Sequence, residues 1–276
     1  MNTSRALDAI RSRWYVALPV AVVVGGVLIP LVYLLLRAAQ ADPQTLWDLV
    51  VRGRTVRLLG NTVGLTVGVL LGTSLLAVPM AWLTTRTALP GRKVLTLLGV
   101  LPLAVPGYVM AYALLATTGP YGTLAQTLGL VVPRLSGYTG AVLALSLSTF
   151  PYLFLNLRTA FLGLDPALEE SAQALGHNRW QVFVRIVLPQ LRPALLAGGL
   201  LIALHVLGDF GVVSLMRYDT FSYALYIQYA ASYDRIYAAG LALLLLMLTA
   251  AILVLEARLL KGRLFHQTSS GTARSA

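Results

Sequence analysis

Apolar residues gather into six stretches almost free of charge: Val16–Leu36, Leu58–Leu83, Val94–Ala116, Gly140–Leu157, Ala194–Leu215 and Tyr237–Leu259. Each is close to the ~20 residues that carry a helix across a hydrocarbon core of roughly 30 Å. A lipid-exposed strand edge would leave backbone N–H and C=O groups without partners, and no ~10-residue dyad alternation suggests a closed barrel. The pattern therefore predicts an all-α, polytopic membrane protein with about six transmembrane helices.

Composition agrees. Residues are 58% hydrophobic and 11% charged, and mean hydropathy is +0.77, whereas a soluble domain carries about 25% charged residues. A net charge of +11 would raise the question of nucleic acid in a soluble chain, but here the basic residues fall between the apolar runs, where they set topology instead. With both termini inside, two thirds of the 21 Lys and Arg lie on the inner side, and Arg37, Arg52, Arg54 and Arg57 in the first outer loop are a local exception. The first run follows Arg5, Arg11 and Arg13 and precedes Ala39-Gln40-Ala41, a signal-peptidase-like triplet. Its apolar core exceeds the 7–15 residues of a signal peptide, which favours a retained anchor. The polar tail His266–Ala276 is expected to be disordered.

Candidate chemistry is sparse. There is no cysteine, and His177, His205 and His266 lack metal-ligand spacing, so no metal site and no catalytic residue is assigned. Gly60, Gly64, Gly68 and Gly72 recur every fourth residue, a small-xxx-small stripe that serves helix packing or lines the translocation path. Pro79, Pro102, Pro106 and Pro151 interrupt apolar runs; Pro102–Gly107 is either a structural kink or a pathway lining. Asp209, inside the fifth run, is a pathway candidate because an ionisable group there is costly. Its alternative is a carboxylate paired with an arginine or capping a helix break beside Gly208 and Gly211. Tyr218, Tyr223, Tyr226, Tyr229 and Tyr233 read as an interfacial aromatic belt.

The inside segment Arg158–Pro193 is unusually regular for a loop. Asp165 can cap a helix with Pro166 in first position, Glu169 and Glu170 sit where the helix dipole favours negative charge, and the helix is expected to end at Gly176. Leu168, Ala172 and Leu175 share one face. Asn178 can cap a second helix through Trp180, Phe183 and Val187, predicted to end before Pro189. Two short amphipathic helices need lipid, the rest of the chain or a partner to cover their apolar sides. A lipid-lying helix would carry basic residues beside its apolar face; the first helix has Glu169 and Glu170 and no Lys or Arg.

Glu170-Ser171-Ala172, three residues, Gly176, nine residues, Ile186, one residue and Leu188-Pro189 together resemble the EAA loop of type I ABC importer permeases, with Ser171 in place of the first alanine. The resemblance implies that Glu170, Ala172 and Gly176 belong to a coupling helix that docks into a cytoplasmic ABC ATPase subunit, with Glu169 beside them and Ile186, Leu188 and Pro189 orienting the next span. The only lysines are Lys93 and Lys261, so no G-x-x-x-x-G-K-[ST] exists. No cofactor is therefore expected on this chain, and ATP and Mg would be held by the partner ATPase. An extracytoplasmic solute-binding protein, a second permease half and a bacterial or archaeal inner (plasma) membrane complete what the resemblance implies.

Within that family, His205–Tyr226 and Pro102–Tyr108 resemble the ferric-iron branch, although thiamine, phosphonate and polyamine permeases have similar segments. Ferric-iron permeases often fuse two halves, and this sequence resembles the first, so the second half is either another copy or a separate chain. The expected organisation is an anchor and outer loop over 1–56, a permease domain over 57–260 and a cytoplasmic tail over 261–276. A secondary transporter or channel without an ATPase is the competing class. It would call for an inverted repeat or paired intramembrane charges, and it does not account for the EAA spacing.

Overall fold

The computed structural model describes residues 3–40, 42–230 and 235–260, with helices joined by turns and no strand among the described residues. The tail from Lys261 onward and Tyr233, for which expectations were set out above, lie outside them. Thr3–Ala39 forms α1, Pro43–Val51 α2 and Gly53–Arg86 α3. Arg92–Val100 is α4, followed by a 3-10 turn over Leu101–Ala104 and by Gly107–Thr117, α5. Thr123–Leu128 and Gly137–Leu162 are α6 and α7. Pro166–Ala174 and Arg179–Val182 are α8 and α9, and a π turn over Phe183–Val187 leads into Leu188–Gly208, α10. Gly211–Leu215, Phe221–Ala230 and Arg235–Leu260 are α11, α12 and α13.

Among the described residues, five stretches are long and apolar enough to cross a membrane: Ala17–Ala39, Gly53–Arg86, Gly137–Leu162, Arg179–Gly208 and Tyr237–Leu260. Arg92–Ala104 with Gly107–Thr117 is a sixth if counted as one span, bent by 100°. The bend follows from Pro106, which pushes the residue before it out of the helical region: Val105 is extended at φ −104°, ψ 116°. Pro79 and Pro151, expected to interrupt their runs, instead lie inside continuous α3 and α7. Neighbouring helices and hydroxyls can compensate a single proline in a membrane helix. One turn before Pro151, Ser148 and Thr149 both donate to the Leu145 carbonyl.

Two further expectations are corrected. The fifth run does not continue to Leu215, because α10 stops at Gly208 and Asp209 is extended at ψ 128°. The helix begun at Asn178 does not end before Pro189; it continues through the π turn into α10 as one apolar stretch to Gly208. In an α-helix the Pro189 ring would press on the carbonyl four residues back. The wider turn, in which the Leu188 N–H donates to Phe183 O, relieves that crowding.

The chain divides into two compact units, one taking in residues up to Val56 with Leu225–Leu246, the other Arg57–Ala224 and the chain from Met247. In the first, the apolar window of the α1 span has no buried residue, leaving a surface for lipid or a partner. In the second, α7 is central, with 67% of its window buried. Leu65 and Val69 of α3, Ala111 of α5, Leu145, Phe154 and Leu157 of α7, and Leu191 and Ile202 of α10 share one core. α7 and α10 approach closely at Gly198, where a Cβ would lie 2.7 Å from Leu153 Cδ1 and 3.2 Å from Leu153 Cα. Two of the four glycines in the stripe lie against α7. A Cβ on Gly68 would strike Tyr138 Oη, and one on Gly72 would strike Ser146 Oγ, both on α7, whereas Gly60 and Gly64 face open space.

Candidate functional site

The segment between α7 and α10 is a capped helix–turn–helix. The Asp165 carboxylate accepts from the Ala167 N–H at 2.9 Å, and Pro166 follows in first position, so α8 starts where its sequence dictates. Its end is a Schellman turn. Gly176 sits at φ +89°, its N–H donates to Gln173 O at 3.0 Å, and the His177 N–H donates to Ala172 O at 3.1 Å. Asn178 and Gln181 then form a capping box for α9: Asn178 Oδ1 accepts from Gln181 N at 2.8 Å, and Gln181 Oε1 accepts from Asn178 N at 3.0 Å. These local bonds hold the angle between the two helices.

Burial divides the motif into two faces. Ala172 is buried against a core that includes Phe161, Val182 and Val187, and Ile186 packs on that core from the π turn. Leu188 and Pro189 are half-buried where the π turn passes into α10. Glu170, Ser171 and Gly176 are exposed, and Leu175 and Trp180 project with 82% and 71% of their surface free. Leu168, Ala172 and Leu175, read from the sequence as one apolar face, differ in burial: only Ala172 faces the core, whereas Leu168 and Leu175, whose N–H still donates to Ser171 O at 3.1 Å, are exposed. Glu169 is half-buried and paired with Arg86, the last residue of α3, at 2.9 Å. A cleft of about 710 Å³ opens beside this pair, lined by Val78, Pro79, Trp82, Phe161, Arg179 and Trp180 among others. Arg86, Trp82 and Gly198 were not singled out from the sequence. Nothing in the spacing of Arg86 and Glu169 announces that they meet.

The other sequence candidates converge elsewhere. A Cβ on Gly107 would approach Val212 Cγ2 at 3.3 Å and Ser148 Oγ at 3.6 Å, and one on Gly211 would approach Tyr108 Cβ at 3.1 Å. The break at Pro102 and Pro106 thus packs directly on the break at Asp209, which the sequence showed only as two separate irregularities. Asp209 Oδ2 accepts from Val212 N at 3.0 Å and Val213 N at 3.2 Å, and its carbonyl accepts from Ser222 Oγ at 2.6 Å. The carboxylate thus caps the break between α10 and α11.

Over residues 64–260 the sequence matches the family described as binding-protein-dependent transport system inner membrane component. The chain belongs to that family. It is 31% identical over 218 residues to the Fe(3+)-transport system permease protein FbpB 2 of Haemophilus influenzae, covering 79% of this chain and 40% of the relative. It is 31% identical over 190 residues to the sulfate transport system permease protein CysT of Escherichia coli, covering 67% of this chain and 68% of that protein. It is 36% identical over 133 residues to the molybdenum transport system permease protein ModB of Escherichia coli, covering 48% and 58%. This chain therefore spans less than half the length of the Haemophilus permease. Among solved structures, a bacterial alginate ABC transporter in complex with its pentasaccharide-bound periplasmic protein aligns with a TM-score of 0.73 at 17% identity, over 93% of this chain and 97% of that one. The MetNI methionine ABC transporter aligns at 0.60 and 17%, over 79% and 97%. At such identities the likeness is one of fold, that of a type I ABC importer transmembrane domain.

Seen as a binding-protein-dependent permease, the chain places its EAA-type segment entirely within the matched region, with Glu170–Gly176 between two apolar spans and Ile186, Leu188 and Pro189 inside the second.

Proposed function

We propose that this chain is the transmembrane permease subunit of an ABC importer, in which α8 is the coupling helix. The observation that carries this reading is the doubly capped helix–turn–helix, which turns Glu170, Leu175 and Trp180 outward from a rigid frame. Leu168, Leu175 and Trp180 are all exposed on this short frame, and a grouping of exposed apolar side chains, unlike a single one, is the kind of feature that a protein partner covers. The partner is a separate ATPase that supplies the free energy, with ATP and Mg in its own site. The packed breaks at Pro102–Gly107 and Asp209–Gly211 are the pathway elements, since irregular backbone at membrane depth is tolerated where protein or a water-lined cavity surrounds it. The path forms with a second permease half, another copy or a separate chain, and solute arrives on an extracytoplasmic binding protein.

The solute we propose is Fe(III). It is supported by the resemblance of His205–Tyr226 to the ferric branch and by the iron-transport relative, whose match covers 79% of this chain. Sulfate and molybdate are the competitors named by the other relatives.

Coexpression with candidate ATPase subunits, followed by copurification and by ATP hydrolysis measured with binding protein loaded with Fe(III), sulfate or molybdate, tests both levels. Capture of an ATPase with stimulation by the ferric protein alone is expected. Stimulation by sulfate or molybdate instead replaces the solute and keeps the permease. No capture under any condition removes the coupling role and favours an ion-gradient transporter.

A further inference from the structure

We propose that Arg86 is a positioning residue whose ion pair with Glu169 ties the coupling helix to the end of α3, so that movement of that span is transmitted to the docking surface. The proposal rests on the permease reading above and adds the element that drives the coupling helix. Glu169 lies outside the EAA pattern, which begins at Glu170, and the pair is the one salt bridge among the described residues.

The attachment of α8 is narrow. Within Pro166–Ala174 only Glu169 and Ala172 are not exposed. They are three residues apart and so share a face. Ala172 supplies a small apolar contact with no direction of its own, whereas the Glu169 carboxylate reaches a single partner. A helix of nine residues is marginal in isolation, so, beyond its caps and the turn to α9, it is these two side chains that hold it against the rest of the chain. The helix that supplies the partner has 34 residues, hence a length of about 51 Å, well beyond the ~30 Å hydrocarbon core. That surplus carries Arg86 past the membrane to the level of the loop. The pair stands beside the open cleft between Trp82 and Pro79 of α3 and Arg179 and Trp180 of α9, so it bridges elements that packing leaves apart. Its side chains are 19% and 25% exposed, dry enough for the ion pair to exceed the small value of a fully solvated one.

The test is a charge swap in the full chain coexpressed with its ATPase, reading ATPase capture, the thermal melt, and the ratio of binding-protein-stimulated to basal hydrolysis. R86E and E169R are each expected to lower the ratio about fivefold or more, and the double swap to recover most of it. The isosteric E169Q, which avoids charge reversal, is expected to shift the ratio in the same direction without moving the melt. Single variants with the wild-type ratio overturn the proposal, as does a double swap that melts like wild type yet stays as impaired as the singles. Failure of the wild-type chain to capture any ATPase overturns the permease reading itself, and is distinguished from the other outcomes by the wild-type control.

Discussion

The Asp209 carboxylate accepts a hydrogen bond from the Val212 N–H at 3.0 Å, across the break that separates α10 from α11. The same oxygen accepts from Val213 N at 3.2 Å, so truncation leaves two backbone donors without their acceptor. Asp209→Ala is expected to cost about 1 kcal/mol, the usual cost of a lost helix cap, and to lower the melting temperature of the purified chain. Asp209→Asn keeps an acceptor oxygen and should melt close to wild type. A loss of transport in the Asn variant without a matching loss of stability would give the carboxylate a pathway role beyond capping.

Gly176 offers a cleaner separation of backbone from side-chain effects. A Cβ there meets nothing within 4 Å, yet φ is +89°, a region that costs an L-residue roughly 1–2 kcal/mol. Gly176→Val should disrupt the turn between α8 and α9 and reduce ATPase capture, while Gly176→Asn, which tolerates the left-handed region better, should retain more of it. Equal loss in both variants would instead implicate contact with the partner at this surface.

The glycine stripe divides by position. Gly60→Ala and Gly64→Ala should leave stability unchanged or slightly raised, because the space is open and alanine favours the helix. Gly72→Ala should destabilise through Ser146, and Gly198→Ala more strongly, since Leu153 Cα cannot move as a side-chain tip can. Thermal melts of the four variants in detergent decide this ordering.

Sidedness can be measured directly because the chain has no cysteine. Tyr121 and Leu175 are 87% and 82% exposed and belong to loops on opposite sides of the membrane in the six-span topology. With both termini inside, Tyr121→Cys should react with a membrane-impermeant maleimide on intact cells, and Leu175→Cys only after the membrane is opened. The reverse pattern would invert the topology.

The sites of the spans, the helix starts at Asp165 and Asn178 and the turn at Gly176 were legible because each is encoded locally. Apolar runs, N-cap residues and a glycine C-cap act through neighbours a few residues away. The course of Pro189 was not legible, since its local rule, that proline ends a helix, was overridden by a π turn that widens the backbone around it. Leu168 and Leu175 show a related limit: helical spacing states which residues share a face with Ala172 but not which of them the core covers.

Sequence alone determined that the chain is an all-α membrane protein with an EAA-type segment between two spans, because the hydrophobic effect and helix capping read composition and short-range order. Only the tertiary structure decided that Arg86 meets Glu169, that Gly198 rests on Leu153, and that the proline break at Pro106 packs on the break at Asp209. Those pairings join residues far apart in the chain, and they depend on how α3, α5, α7 and α10 stack, a matter of side-chain shape across helices that no periodicity along one helix contains.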